Sequence, residues 1–227
     1  MKKTEIYCAL LVLMFLFFSA LSIAETKDII FPSKAFYLGV NVGGGSTEWK
    51  YLVDTTDPSD TSYTTPESVT EGGPSWGLVL GYDLSKNFAI EMQYMQFANA
   101  NIQLSQYSPY PLSSMISKTD AYSLSGKFLV PMGHTHLRAF AAVGAGFVQR
   151  QDPLVNFDPD ITFTNNVKRT SCVTPYMSTG LVYSFTQHWM LESGFQYYTG
   201  FGASEVDPVA DFIPFAWDAY ARLAYQL

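Results

Sequence analysis

Cysteine is nearly absent from this chain: 227 residues hold only Cys8 and Cys172. Cys8 falls in an N-terminal segment read below as removable, so a single thiol remains and no internal disulfide can form. A disulfide-stapled secreted scaffold is thereby excluded. No Cys stands at the expected cleavage point, which argues against a lipoprotein. Cys172 has no His near it in sequence and reads as a lone thiol at a loop edge rather than a nucleophile. Charge is also scarce, at 15% of residues against about 25% in ordinary soluble domains. Basic residues are the rarer sign, 13 Lys and Arg against 20 Asp and Glu, for a net charge of −7. Nucleic-acid binding needs clustered Lys and Arg to neutralise phosphates, so no nucleic-acid partner is expected. Beyond residue 24 no apolar run approaches the ~18 residues of a membrane helix. Gly and Pro are too sparse for a collagenous or low-complexity chain, and 48% hydrophobic content is too high for disorder.

What is abundant is aromatic: 17 Phe, 15 Tyr and 4 Trp. The chain opens Met1-Lys2-Lys3, runs apolar from Tyr7 to Ile23, and reaches small residues at Ser22-Ile23-Ala24, with Glu25-Thr26-Lys27-Asp28 following. A short basic start, an apolar stretch and small residues at −3 and −1 predict a secretory signal peptide over residues 1–24. A single anchor helix is the competing reading, and the cleavage site favours the signal. Residues 25–34 are then a short periplasmic segment.

From residue 35 the dominant pattern is a two-residue alternation. It is clearest at the end, where Phe215, Trp217, Ala219, Ala221, Leu223, Tyr225 and Leu227 take one face and Asp218, Tyr220, Arg222 and Gln226 the other. Seven earlier segments repeat it, beginning at Phe36, Trp76, Phe88, Tyr122, Leu137, Tyr176 and Trp189. Eight strands result. Connections alternate between three short turns, around Lys86, His134 and Gln187, and four long loops, over 45–75, 98–120, 149–172 and 199–213. Short turns at one end, long loops at the other and strands long enough to cross a tilted bilayer predict an all-β fold, an eight-stranded antiparallel up-and-down transmembrane β-barrel over residues 35–227. A soluble ligand barrel would turn the apolar face inward. Here that face carries Phe, Trp, Tyr and Leu, which overfill an eight-stranded interior, whereas the Gly, Ala and Ser of the other face suit a narrow lumen. Aromatics gather near both ends of the apolar face, as membrane-interface girdles do.

The phrases Phe36-Tyr37-Leu38-Gly39-Val40-Asn41-Val42-Gly43, Gly77 to Leu84, Ile90-Glu91-Met92-Gln93-Tyr94 and Val143-Gly144-Ala145-Gly146-Phe147 resemble the small eight-stranded outer-membrane barrels of Gram-negative bacteria, the OmpA-like transmembrane and OmpX-type family. The resemblance spans residues 35–227. It implies an outer-membrane location, outer-membrane lipid and lipopolysaccharide as surroundings, and the barrel-assembly machinery as a partner during insertion. The chain stops at the eighth strand, so no periplasmic peptidoglycan-binding domain is expected. It ends in Leu227 where the family's insertion signal usually ends in Phe; Tyr225 and Leu227 keep the pattern in weaker form.

Three functions fit such a barrel: a non-enzymatic surface protein presenting loops to envelope or host partners, a narrow small-solute pore, and a lipid-modifying enzyme. The enzyme needs a His within reach of a nucleophile, yet His134, His136 and His188 all lie in or beside the short turns. No catalytic residue, cofactor or metal site is expected; two His without a third ligand do not make a metal centre. Asp54, Asp57 and Asp60 lack the spacing of a calcium loop and read as a solvated acidic surface. Tyr107, Tyr110 and Leu112 are the candidate loop contacts. Inside, Glu91, Lys127, Arg138, Glu192 and Arg222 take the inward face at similar heights above the turns, with Asp83 a candidate sixth. A charge in a narrow interior is costly unless paired. An ion-pair network plugging the barrel floor is therefore expected, with Glu91 near Lys127, Glu192 near Arg222 and Arg138 pointing across the lumen.

Overall fold

The computed structural model describes residues 31, 33–49, 66–104, 112–152, 154–156, 168–200 and 212–227. The expected signal peptide, the acidic residues Asp54, Asp57 and Asp60, and the loop residues Tyr107 and Tyr110 lie outside them. Eleven strands are present: β1 (Ala35–Thr47), β2 (Pro66–Thr70), β3 (Gly73–Ser85), β4 (Phe88–Gln96), β5 (Ala100–Leu104), β6 (Leu112–Pro131), β7 (Leu137–Asp152), β8 (Leu154–Asn156), β9 (Lys168–Ser184), β10 (Trp189–Tyr198) and β11 (Ala216–Gln226).

Eight of them close a ring. Antiparallel pairing runs β1–β3–β4–β6–β7–β9–β10–β11 and returns from β11 to β1 through Tyr37↔Gln226 to Thr47↔Ala216. Closure leaves no edge with unpaired backbone groups facing lipid. Three tight turns, at 86–87, 132–136 and 185–188, gather at one end, hereafter the turn end. Gly133 takes the left-handed conformation (φ 61°) that its turn requires. The opposite, loop end carries the long connections.

The alternation decides what each face meets. Val42, Leu124 and Val143 are exposed by 58%, 59% and 70% on the outer wall, and Phe36, Leu38, Trp76, Phe128 and Leu223 share that wall. The inward set is buried and mixes small, aromatic and charged residues. Aromatic contacts cross the outer wall near both rims: Trp76–Tyr94–Tyr122–Phe147 at the loop end, and Phe36–Tyr82 and Trp189–Tyr225 at the turn end.

The strands outrun the sequence pattern. Much of the expected loops over 98–120 and 149–172 is strand: β5 and the first nine residues of β6 in one, the end of β7, β8 and the start of β9 in the other. Pairing continues as far as Lys118↔Gln151 and Asp152↔Lys168. Past the apolar band the outer face no longer has to be greasy, so alternation fades while the backbone ladder persists. The short strands β2, β5 and β8 join β6 here, in the order β2–β5–β6 with β8 also on β6. A small core of Trp49, Ala100, Ile102, Met115 and Phe212 lies at this end.

Candidate functional site: the charged lumen

The register places the charged side chains. Glu192 and Arg222 are direct cross-strand partners on β10 and β11, and Asn41 of β1 faces Arg222 from its other side. Glu91 on β4 pairs with Ser125, so Lys127 stands diagonally beside it on β6. The barrel is narrow enough for these four charges to meet across it. Lys127 Nζ lies 2.7 Å from Glu91 Oε1 and 2.5 Å from Glu192 Oε2. Arg222 Nη1 lies 2.9 Å from Glu91 Oε1 and 3.1 Å from Glu192 Oε1. Two cations thus bridge two carboxylates in a closed square.

Neutral partners complete the layer. Tyr37 donates to Glu91 at 2.5 Å and Tyr220 to Glu192 at 2.7 Å. Arg222 donates through Nε to Asn41 Oδ1 at 2.6 Å and through Nη2 to Gln93 Oε1 at 2.8 Å. The guanidinium therefore meets four different residues, and all four charged side chains are at least 95% buried. Buried charges persist only with such pairing and hydrogen bonding. Glycine makes the room: a Cβ at Gly81 would strike the Tyr37 ring, and one at Gly194 would press on Tyr220 and Phe140.

Arg138 and Asp83 stand apart from this square. Among the described residues Arg138 has no carboxylate within ion-pair distance. Its Nη1 donates to Lys86 O at 3.4 Å, its Nη2 approaches the Met190 sulfur at 3.9 Å, and its Nε is buried without a partner. The Phe31 ring lies 4.9 Å from the guanidinium. Asp83 accepts from Gln226 Nε2 at 3.2 Å. Both line a cavity of about 10 Å³ together with Tyr37, Lys127 and Glu192. The expectation of a single layer is corrected here. Both residues sit within three positions of a turn, and there the lumen already belongs to apolar Leu129, Val182 and Met190.

Above the square the lumen stays filled. Gln93 donates to Gln196 at 2.6 Å, Gln196 donates to Asp218 at 3.2 Å, and Ser75 donates to the other Asp218 oxygen. Met95, Phe97, Tyr176, Tyr198 and Ile213 form the next layer. At the loop end Arg150 pairs with Asp152 at 2.8 Å, donates to the Phe212 carbonyl, and lies 4.8 Å from the Trp49 ring. Sequence reasoning missed Tyr37, Asn41 and Gln93 as partners; their inward parity was visible, but which wall they reach depends on barrel closure.

The remaining candidates are scattered. Leu112 opens β6 opposite Asn156. Tyr225 packs on Trp189 and on the His188 ring, and Leu227 N donates to Phe36 O at 2.9 Å. His134, His136 and His188 lie in or beside the turns. Cys172 is half-buried within β9 rather than at a loop edge. No group of three or more His, Cys, Asp or Glu able to hold a metal occurs among the described residues.

Comparison with known proteins adds the lineage. No curated protein matches the chain in sequence. Its fold is similar to Neisserial surface protein A (TM-score 0.55, 10% identity, covering 85% of this chain and 97% of the other). It is also similar to OprG of Pseudomonas aeruginosa (0.51, 12%, 87% and 99%) and to AlkL in lipid bilayers (0.50, 18%, 90% and 95%). The family model for the OmpA-like transmembrane domain matches residues 32–225. With that match spanning the closed eight-stranded ring and its apolar outer wall, the chain belongs to the OmpA-like transmembrane domain family and is a bacterial outer-membrane barrel.

Proposed function

We propose that this barrel is a non-enzymatic surface protein: it anchors its loop end outside the cell and passes no solute stream through its lumen. The observation that carries this reading is the Glu91–Lys127–Glu192–Arg222 square spanning the lumen, with filled layers above it. A solute would have to part four mutually paired buried charges, at a cost of several kcal/mol per broken partner. The histidines, at the turn end, are far from any loop-end nucleophile. On this reading residues 1–24 are a leader, residues 25–34 and the three turns face the periplasm, and the four long connections face outward. Lipopolysaccharide and lipid surround the wall. The assembly machinery reads the strand ending in Tyr225 and Leu227. A host or envelope protein meets the loops, including Tyr107, Tyr110 and Leu112.

Refolded barrel in planar bilayers should give no steady single-channel current. Cells expressing a variant lacking residues 105–111 should bind less well to the surfaces that the intact barrel binds. A steady current would instead favour a narrow small-solute pore. Unchanged binding would remove residues 105–111 from the contact.

A further inference from the structure

The outer wall has a groove of about 360 Å³ at the loop end, lined by Glu48, Tyr197, Phe215 and Trp217. Three neighbouring elements build it. Trp217 on β11 is cross-strand partner to Tyr197 on β10 and to Ser46 on β1. Glu48 follows β1 directly and is tied to the wall by its backbone, whose N–H donates to Phe215 O at 2.8 Å. Two aromatic pairs stack in parallel along this wall, Phe195–Trp217 at 5.9 Å and 25°, and Tyr197–Phe215 at 6.1 Å and 22°. The Trp217 indole donates to Glu48 Oε1 at 2.5 Å. That bond fixes the carboxylate at the rim of the groove; among the described residues, Oε2 has no hydrogen-bonding partner.

The groove is continuous with the lipid-facing wall. Phe195, two residues from Tyr197 on the same face, is 44% exposed there, so the occupant comes from the leaflet around the barrel. Flat π faces beside a fixed acceptor suit a molecule with an apolar ring face and outward hydroxyl donors. A sugar has both. A phosphate head group would instead meet the Glu48 carboxylate with like charge. The volume falls in the range of small-molecule sites, ~300–1,000 Å³.

We propose that this groove binds the sugar head group of a glycolipid, the ring lying on Trp217 and Tyr197 and a hydroxyl donating to Glu48. The site rests on the lipid-facing wall, not on which end of the barrel faces out, nor on the loops' partner. As to its occupant it rests on the reading above that lipopolysaccharide, a glycolipid, surrounds the wall, whereas the titration below reads the groove alone, so its failure would leave the surface function standing.

The test uses the full barrel in phosphatidylcholine nanodiscs, with the indole N–H signal of Trp217 assigned through Trp217→Phe. Octyl glucoside, added below its micelle-forming concentration, should shift the Trp217 signal saturably while leaving Trp189, at the opposite rim, nearly unmoved. Glu48→Ala should weaken the apparent affinity about tenfold, the effect of one charge-assisted hydrogen bond. Equal shifts at Trp217 and Trp189 would show that the alkyl chain alone is sensed. An equal response to octyl phosphocholine, whose choline cation can also meet the rings and Glu48, would show that the groove does not select a sugar. Either result would overturn the proposal. The wild-type titration decides even if Glu48→Ala fails to fold.

Discussion

At the scale of single residues, the four charges of the square were legible for two reasons. Strand parity sends Glu91, Lys127, Glu192 and Arg222 inward, and their distance from the nearest turn sets their height. Strand adjacency then brings Glu192 to Arg222. Parity says nothing about reach across the lumen, so the Lys127–Glu192 contact and the Tyr37 donor appear only once the ring is closed. Height also misled at Arg138, whose guanidinium lies among apolar neighbours beneath the square. The energetic content of the square is open to measurement. Glu192→Ala and Arg222→Ala each leave the square with an unbalanced buried charge, two cations sharing Glu91 or two carboxylates sharing Lys127, and each should cost on the order of 3–5 kcal/mol. The double variant removes one charge of each sign. Its loss should fall short of the sum of the two singles by about 1–3 kcal/mol, because Lys127 can still serve Glu91. Urea unfolding in lipid vesicles measures all three. Additive losses would mean that Glu192 and Arg222 do not interact.

At the scale of elements, the number and order of barrel strands could be read from the two-residue period, and their ends could not. The period reports a contrast between an apolar and a polar environment. It therefore marks where β6, β7 and β9 cross the apolar band and falls silent where they run on beyond it. β2, β5 and β8 were invisible for the same reason. Strand β11 is the closing element, and its last residues carry much of the closure at the turn end. Tyr225 pairs with both Leu38 and Trp189, Gln226 N donates to His188 O at 2.7 Å, and Gln226 Nε2 reaches Asp83. Deleting Tyr225-Gln226-Leu227 would unpair backbone groups on β1 and β10 against lipid, where each costs several kcal/mol. The deletion should abolish the compact, heat-modifiable band on a denaturing gel. Leu227→Phe should retain it, since Leu227 is tied through its backbone and its side chain is 69% exposed. A normal folded band from the deletion variant would show that closure does not need these residues.

At the scale of the whole molecule, the two ends of the barrel differ in kind. One end is three tight turns. At the other, β6, β7 and β9 run 20, 16 and 17 residues, well past the ~9–11 that cross a bilayer, and support a further sheet with its own small core. Outer-membrane barrels carry their short turns on the periplasmic side and their long connections outside. This asymmetry fixes the expected orientation without reference to any partner. Two single-cysteine variants in a Cys172→Ser background read it directly. Glu67→Cys lies on exposed β2 at the loop end, and His134→Cys lies in an exposed turn at the other end. A membrane-impermeant maleimide added to intact cells should label the first and leave the second untouched until the outer membrane is opened. Labelling in the reverse order would turn the barrel over. The square of charges would remain, but the loop end would face the periplasm and a role in contacts at the cell surface would be lost.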